Sequence, residues 1–365
     1  MADRHHGAVP VLAFAGGAAL MALLLLGQGA LGVRPPYGEG GTLTEVAPRY
    51  LGRSGRAVLS VVLGVAMIGW FGFNVGLGGA SLASVTGLPG PAGALLLSGA
   101  VLAVSYASPR LGNRIAVGTT LAALGLVAVC VARLRPATAP VTLEPGGWNT
   151  AADIAAMAGY VSVFALRAPD FSRGLASRRD LGWCVLLLVA PAVAVGVAGA
   201  GVWLRTGSTD VVAVLAGTPG VAAYGNLFVA AAVFAPALTT TYSGALALRG
   251  GWPALSSTAA MLVVAVPGAL LAVARFDRLL LPWLAVLAAT LPPLIVPMAT
   301  EAWRRRRGRP ARPLPVWTWL PAGLVATAMT AAGLAVAAVT GLAIATLATA
   351  AHIGLATRVR DADPT

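Results

Sequence analysis

The chain has 365 residues, of which 58% are hydrophobic and only 10% charged, and its mean hydropathy is +0.83. Soluble globular proteins carry about 25% charged residues, so this composition excludes a water-soluble protein and predicts a membrane protein. The formal charge of +13 comes from 25 arginines, with no lysine. These arginines are scattered through short loops and do not alternate with aromatic residues, which argues against a nucleic-acid partner.

Apolar runs of about 17 or more residues predict about eleven membrane-spanning helices in an all-α polytopic fold. The longest loop is expected at 34–55, which is too short to fold by itself, so residues 1–365 are predicted to form a single transmembrane domain. A short amphipathic piece at 209–217 is expected to lie in the interface or to re-enter the membrane. The predicted spans are 9–33, 56–84, 91–108, 113–133, 151–168, 181–204, 224–247, 253–275, 279–300, 316–338 and 340–357.

Arginine counts predict the orientation of these spans. The alternate loops that begin with 34–56 carry 19 of the 25 arginines. By the positive-inside rule these loops are cytoplasmic. The C-terminus is then expected in the cytoplasm and, with an odd number of spans, the N-terminus outside. The protein is therefore expected in the cytoplasmic membrane, surrounded by lipid.

The stretch "IGWFGFNVGLGG", 68–79, carries unusual residues for a membrane span. At 100° per residue, Trp70 and Asn74 share one face and four glycines lie roughly opposite. The glycines predict close helix packing, with Gly72 and Gly76 as a small-xxx-small pair. The tryptophan and the asparagine could be packed against neighbouring helices, or they could form a ligand site. We favour the ligand site, because a flat ring with an amide one turn away can stack on a planar heterocycle and bond its edge.

A second group of candidate residues lies in "AGYVSVFALRAPDFSRGLASRRD", 158–180. Gly159 and Tyr160 fall in the middle of a predicted span, where a glycine lets a helix unwind and a tyrosine offers a second aromatic wall. A cluster of arginines surrounds Asp170 in the loop that follows. A carboxylate among arginines stays ionised, so this one is expected to clamp a loop rather than to transfer protons.

A third candidate group lies in "FAPALTTTYSGALAL", 234–248, which contains five consecutive hydroxyl residues. Such residues are expensive to expose to lipid. They either bond the carbonyl groups four residues earlier or line a polar path, and Thr239 and Thr240 are the candidates for contact with a solute. In "ATLPPLIVP", 289–297, two adjacent prolines are expected to break a span.

Enzymatic chemistry has no visible carrier in this sequence. The spans contain no paired carboxylates, histidine ligand cluster, Ser-His-Asp set or phosphate loop. Cys130 and Cys184 lie in apolar runs and are expected to be inert, and no cofactor is implied. A membrane-embedded transferase would need acidic or histidine clusters that are absent from the spans, so a non-enzyme is predicted.

Taken in order, these stretches resemble the nucleobase–cation symporter family of cytosine/purine, allantoin and hydantoin permeases. "GWFGFN" resembles the third-helix motif of that family, "APDFSR" the end of its discontinuous sixth helix, and "TTTYSGALAL" and "LAATLPPLIVPMATEAW" its eighth and tenth helices. The resemblance implies a LeuT-like fold of two inverted five-helix repeats, followed here by two additional helices at 316–357. It also implies that Trp70 stacks on the substrate, that Asn74 bonds its edge, and that Gly159 and Tyr160 lie near the second aromatic wall.

The sequence departs from the family pattern in two places. The arginine-rich loop at 34–56 follows the first span instead of the second, so the first family helix is expected to be missing. Either the start codon is placed too late, which we favour, or this paralogue has lost the helix. The eighth-helix segment has threonines where an Asn/Asp-rich run is expected, and 229–235, "VAAAVFA", offers no hydroxyl groups to a sodium ion. A proton is therefore favoured over sodium as a coupling ion.

The function predicted from the sequence is a monomeric permease that imports a nucleobase or related planar heterocycle, such as cytosine, a purine or allantoin, by alternating access. The alternative is a membrane scaffold or sensor that keeps the fold and does not transport.

Overall fold

The computed structural model describes residues 9–106, 109–133, 143–144, 149–218, 220, 222–311, 313–334 and 336–362. Nearly all of this part of the chain is helical. Two-residue strands, β1 (Val9–Pro10) and β2 (Leu143–Glu144), pair in parallel. The helices are α1 (Val11–Gly29), α2 (Leu43–Thr86), α3 (Gly90–Ser105), α4 (Pro109–Arg133), α5 (Asn149–Leu166), α6 (Ala168–Ser172), α7 (Arg178–Thr206), α8 (Val211–Gly217), α9 (Ala222–Ala232), α10 (Phe234–Gly251), α11 (Ser257–Val273), α12 (Leu280–Thr290), α13 (Pro292–Arg306), α14 (Leu320–Ala331) and α15 (Ala337–Ala362).

Six helical stretches in the described residues are long and apolar enough to cross a membrane. Five shorter apolar helices accompany them, and each of these eleven segments overlaps one of the eleven spans predicted from the sequence. The protein is thus a multi-pass helical membrane protein. The long stretches are Val11–Gly29, Ser54–Thr86, Arg178–Thr206, Tyr224–Gly251, Phe276–Arg306 and Ala337–Gly354.

The beginning of α2 differs from the sequence prediction. The loop expected at 34–55 is helical from Leu43 onwards, and a kink at Gly52, with φ 66°, separates this short first part from the membrane-spanning part. The positive φ favours glycine. Thr42 and Glu45 form a capping box that starts the helix outside the span, which explains why hydropathy alone missed it.

Two of the predicted spans are broken helices. The span at 279–300 divides at Leu291 into α12 and α13, as the two prolines predicted. The span at 224–247 divides at Val233 into α9 and α10, a break that the sequence pattern does not predict. Pro236 lies in the first turn of α10, where a missing backbone N–H costs little, and it cannot continue the preceding helix.

Two pairs of helices pack antiparallel. In the first pair, α1 and α7, Gly29 lies against Leu181 and Gly196 lies against Phe14. In the second pair, α2 and α10, Gly64 faces Leu248 at one end and Gly78 faces Val233 at the other. Oppositely directed neighbours occur in ordinary helix bundles and in inverted-repeat transporters alike.

The glycines on one side of α2 serve close packing, as predicted from the sequence. A methyl group at Gly72 would press against the side chain of Leu271 on α11 at 2.8 Å. A methyl group at Gly79 would overlap the backbone of α3 at Ala94. The small residues therefore let α2 approach its neighbours at backbone distance, and this approach fixes the orientation of the opposite face of α2.

Candidate functional site

Trp70 is the centre of an aromatic cluster in the middle of the membrane-spanning part of α2. Its side chain is 7% exposed. The ring centroid lies 5.8 Å from that of Tyr160 on α5, with 77° between the planes, and 5.6 Å from that of Phe73, at 84°. The indole N–H is buried and has no hydrogen-bond partner among the described residues. Such a donor costs about 1–3 kcal/mol when it is left unpaired.

Asn74 lies one turn beyond Trp70 and is also buried, with 6% exposed. Its amide Nδ2 donates to the backbone oxygen of Trp70 at 2.7 Å. The amide is therefore held by its own helix, and no bond to a neighbouring helix is seen in the part of the chain that the structure describes.

Gly159 and Tyr160 lie in a continuous helix and not in the unwound segment that a glycine could have permitted. A methyl group at Gly159 would overlap the carbonyl oxygen of Leu284. The glycine thus allows α5 and α12 to touch at backbone distance. The neighbouring Tyr160 is 44% exposed, so its ring meets Trp70 on one side and is accessible on another.

Trp283 on α12 joins this region and was missed from the sequence. Its indole ring lies directly over Gly69, the residue before Trp70. The ring contacts Phe276 at 5.5 Å between centroids, and its N–H is buried without a partner in the described part of the chain. A tryptophan inside an apolar span places a polar indole N–H in the membrane, and this signal could have identified Trp283 from the sequence.

The threonines of α10 divide between two environments. Thr240 and Thr241 are buried, and their hydroxyl groups donate to the carbonyl oxygens of Pro236 and Ala237 at 2.6 and 3.0 Å. The carbonyl-bonding alternative is therefore the observed one for these two residues. Thr239 is exposed. The antiparallel register with α2 brings this turn to the level of the Trp70 region, and no contact between the two groups of side chains is seen among the described residues.

The Asp170 carboxylate clamps one end of the molecule, as expected from the sequence. It accepts a hydrogen bond from the backbone N–H of Leu43 at 2.7 Å, which ties α6 to the start of α2. It also pairs with Arg167 at 2.7 Å, and the side chain of that arginine is only 9% exposed. The unpaired arginine would be costly there, because a buried charge needs a partner.

The same end is held by a second network around Tyr50. The Tyr50 hydroxyl donates to Glu39, and burial raises the pKa of this phenol well above its usual value, so the group stays protonated. Arg305 lies over the Tyr50 ring at 4.1 Å and pairs with Glu301, which is 1% exposed. The loops with most arginines thus meet at one end, as their grouping by the positive-inside rule required.

A smaller charged group lies near the other end of α2. Arg275 pairs with Asp277 at 2.8 Å, and the side chain of this aspartate is 5% exposed and packs against Gly76. Among the described residues, no three His, Cys, Asp or Glu side chains come together as a metal site would need.

Comparisons with known proteins connect this arrangement with a transporter fold. No protein-family model matches the sequence, and no curated protein matches it either. Solved structures of Mhp1 do match. The structure of Mhp1, a nucleobase-cation-symport-1 family transporter, in a closed conformation with bromovinylhydantoin bound, superposes with a TM-score of 0.73 at 20% identity, over 97% of this chain and 86% of that one. An inward-facing conformation of Mhp1 gives 0.66 at 17% identity, over 95% and 84%.

At this level of identity the match shows the fold alone. It agrees with the antiparallel helix pairs and with the broken helices described above. The chain therefore has the five-plus-five inverted-repeat, LeuT-like fold of the Mhp1 transporter.

Proposed function

We propose that this protein is a secondary transporter that moves a nucleobase or a related planar heterocycle across the cytoplasmic membrane by alternating access. The observation that carries the proposal is the buried indole N–H of Trp70, which has no partner among the described residues and lies beside the partly exposed ring of Tyr160. A planar solute would stack on the face of an aromatic ring in this cluster, and a carbonyl or ring nitrogen placed at the edge of the indole would accept from its in-plane N–H.

The cluster is compact in this arrangement, and that fits an alternating mechanism. Because Trp70 is almost fully covered, a solute that stacks on it requires Tyr160 to move away. The two rings belong to α2 and α5, which pack mainly on different partners and touch at few places. A relative movement of these two helices would open the cluster while each helix keeps its own packing.

Asn74, Trp70 and Tyr160 would together supply specificity for the solute. The Asn74 amide is held by the Trp70 carbonyl now, and it would turn its free hydrogen-bonding capacity to the edge of a bound ring. Gly159 would fix the position of Tyr160 by letting α12 approach α5 at backbone distance. Thr239 and Thr240 of α10 would lie on a third side of the bound solute, at the same level of the membrane. Mhp1, which shares the fold, binds bromovinylhydantoin, whose hydantoin ring is a planar heterocycle with two carbonyl groups.

Coupling to a proton is proposed in preference to sodium. Residues 229–235, at the junction of α9 and α10, are apolar and offer no side-chain oxygen to a sodium ion. Accumulation of the solute would then depend on the pH gradient and not on the sodium gradient. Measuring uptake in sodium-free medium, with and without an uncoupler, distinguishes these two possibilities.

The experiment that tests the proposal measures uptake of labelled cytosine, adenine, uracil, allantoin and a hydantoin in cells that lack their own permeases. Trp70→Ala is expected to reduce uptake of the transported solute about tenfold or more, since base–aromatic stacking is worth about 1–3 kcal/mol. Trp183→Ala is the matched control, because Trp183 is 55% exposed on α7 and far from the cluster in sequence. Equal uptake by Trp70→Ala and wild type would contradict the stacking role.

The alternative, a scaffold or sensor with the same fold, predicts a different result. Wild-type protein that reaches the membrane would then show no uptake of any solute in the panel above the empty-vector level. Binding without uptake would indicate a sensor, and neither binding nor uptake a scaffold.

A further inference from the structure

Two arginines from distant parts of the chain lie close together at the arginine-rich end of the molecule. Arg306 is the last residue of α13, and its Nη2 donates to the backbone oxygen of Ala30, just after α1, at 3.3 Å. Arg178 is the first residue of α7, and one turn later Leu181 packs on Gly29 at the end of α1. Both arginines therefore border the same end of α1, and their positive charges repel each other.

Arg34 joins these two from the loop that follows α1. Its backbone N–H donates to the oxygen of Leu175, just before α7, at 3.1 Å. Its Nη2 lies 3.8 Å from the position that a methyl group at Gly174 would take. The side chains of Arg34, Arg178 and Arg306 are all exposed. We call these three residues the arginine triad.

No acidic side chain pairs with the arginine triad in the described part of the chain. Glu39, whose charge acts on Arg306, is already shared by two other arginines. Asp180 follows Arg178 by two residues, and side chains at that spacing on a helix do not face each other. The first backbone N–H groups of α7, a helix of 29 residues, add the positive end of a helix dipole. The triad is thus an exposed concentration of positive charge that an anion would stabilise.

We propose that the arginine triad binds the phosphate group of an anionic phospholipid. A guanidinium presents paired N–H donors that match phosphate oxygens, and the start of a helix adds backbone N–H groups. Because the three side chains are exposed, a head group reaches them from the membrane surface without entering the protein. The arginine count predicts that this end is cytoplasmic, and the cytoplasmic leaflet is rich in anionic lipids.

The surroundings of the triad favour a lipid over a soluble anion. Trp303, one turn before Arg306 on α13, is 53% exposed, and Trp183, in the second turn of α7, is 55% exposed. Exposed tryptophans are typical of the membrane interface, so they place the triad at the level of the head groups. Further into the membrane, Leu23 on α1 and Leu187 on α7 are 67% and 71% exposed. Acyl chains can therefore lie on these helices below the bound head group.

The test is lipid binding by the purified full-length protein, which needs no transported solute. Native mass spectrometry would measure retention of phosphatidylglycerol, with phosphatidylcholine as the neutral comparison and inorganic phosphate as the soluble competitor. Arg178→Gln is expected to weaken retention about fivefold, and Arg178→Gln combined with Arg306→Gln about twentyfold, because each basic residue adds to the attraction for an anionic head group. Arg309→Gln is the matched control, since Arg309 is an exposed arginine of the same end, in the loop after α13. Thermal unfolding of each variant without added lipid would show that folding is intact.

Each outcome decides for or against the triad. Loss of phosphatidylglycerol in the two triad variants alone, with no displacement by millimolar phosphate, supports the proposal. Equal losses in the triad variants and in Arg309→Gln would mean that net charge alone attracts the lipid, and they would overturn a site at the triad. Displacement by phosphate would assign the triad to a soluble anion instead of a lipid. Equal retention of the two lipids by every variant would also contradict the proposal, whether or not the protein transports a heterocycle.

Discussion

The ring of Tyr160 on α5 meets the ring of Trp70 on α2 in a T-shaped contact, with 5.8 Å between centroids and 77° between planes. Residues 90 positions apart in the sequence are joined by this contact, at a place where α2 and α5 otherwise touch little. The pair of rings connects the helices packed around α2 with those packed around α5. Binding of a solute between the rings would therefore depend on the relative position of these two groups of helices.

Two substitutions at Tyr160 therefore distinguish the contribution of its ring to solute binding from that of its hydroxyl group. Tyr160→Phe keeps the edge contact and is expected to leave substrate affinity within about threefold. Tyr160→Leu removes the aromatic wall for the solute, and because stacking of a base on an aromatic ring is worth about 1–3 kcal/mol, affinity should fall about tenfold. Binding of the transported solute by scintillation proximity would measure both. Equal affinities for the two variants would show that the ring does not contact the solute.

Gly159→Ala is expected to destabilise the protein. The added methyl group would overlap the carbonyl oxygen of Leu284, which is backbone and cannot turn away, and overpacking typically costs about 1–3 kcal/mol. Gly199→Ala on α7 is the matched control, because nothing lies within 4 Å of the position of its methyl group, and it should be neutral or slightly stabilising. Thermal unfolding in detergent measures both variants. A Gly159→Ala protein as stable as Gly199→Ala would mean that α12 yields easily at this contact.

Asp170→Asn should loosen the arginine-rich end. The substitution leaves Arg167, whose side chain is 9% exposed, without its ion pair, and a loss of about 1–3 kcal/mol is expected because buried donors of the guanidinium lose their acceptor. Amide hydrogen exchange at Leu43 should accelerate, since its N–H donates to this carboxylate. Arg173→Gln provides the comparison. Its pair with Glu45 spans 3.6 Å between half-exposed side chains, and such surface pairs contribute about 0–1 kcal/mol. Similar exchange in the two variants would argue against a clamp at Asp170.

The beginning of α2 should be sensitive to acid. The backbone N–H of Thr42 donates to Glu45, and this bond lowers the pKa of the carboxyl group, with a further contribution from the charge of Arg173. A lowered pKa in the folded state means that the stabilisation is present above the ordinary pKa of glutamate and is lost as the pH falls through the folded value. Exchange of the amides at 42–46 should therefore rise in acid relative to a Glu45→Gln protein, which has no charge to lose. Parallel pH profiles for the two proteins would count against this cap.

Several features of the fold could be predicted from the sequence because they follow from local chemistry. Apolar runs gave the eleven segments, since a span needs a minimum length of apolar residues. The prolines at 292 and 293 predicted the break at Leu291 because proline lacks an N–H. The glycine spacing on α2 predicted packing at backbone distance, which the contacts of Gly72 and Gly79 confirm.

Other features could not be predicted because hydropathy does not register them. The helical start of α2 at Leu43 lies outside the membrane run, and the break at Val233 occurs within an apolar stretch that looks continuous. Trp283 was missed because the sequence does not show that it lies over Gly69.

The sequence by itself determined the class of protein, the positions of the eleven apolar segments, the grouping of the basic loops and the face of α2 that carries Trp70 and Asn74. These properties depend on composition and on the 3.6-residue period of one helix. Only the tertiary structure decided that Tyr160 lies beside Trp70, that Trp283 lies over Gly69, and that Asn74 bonds its own helix. The contacts of Tyr160 and Trp283 join helices far apart in sequence, and they depend on how closely glycine lets each pair of backbones approach.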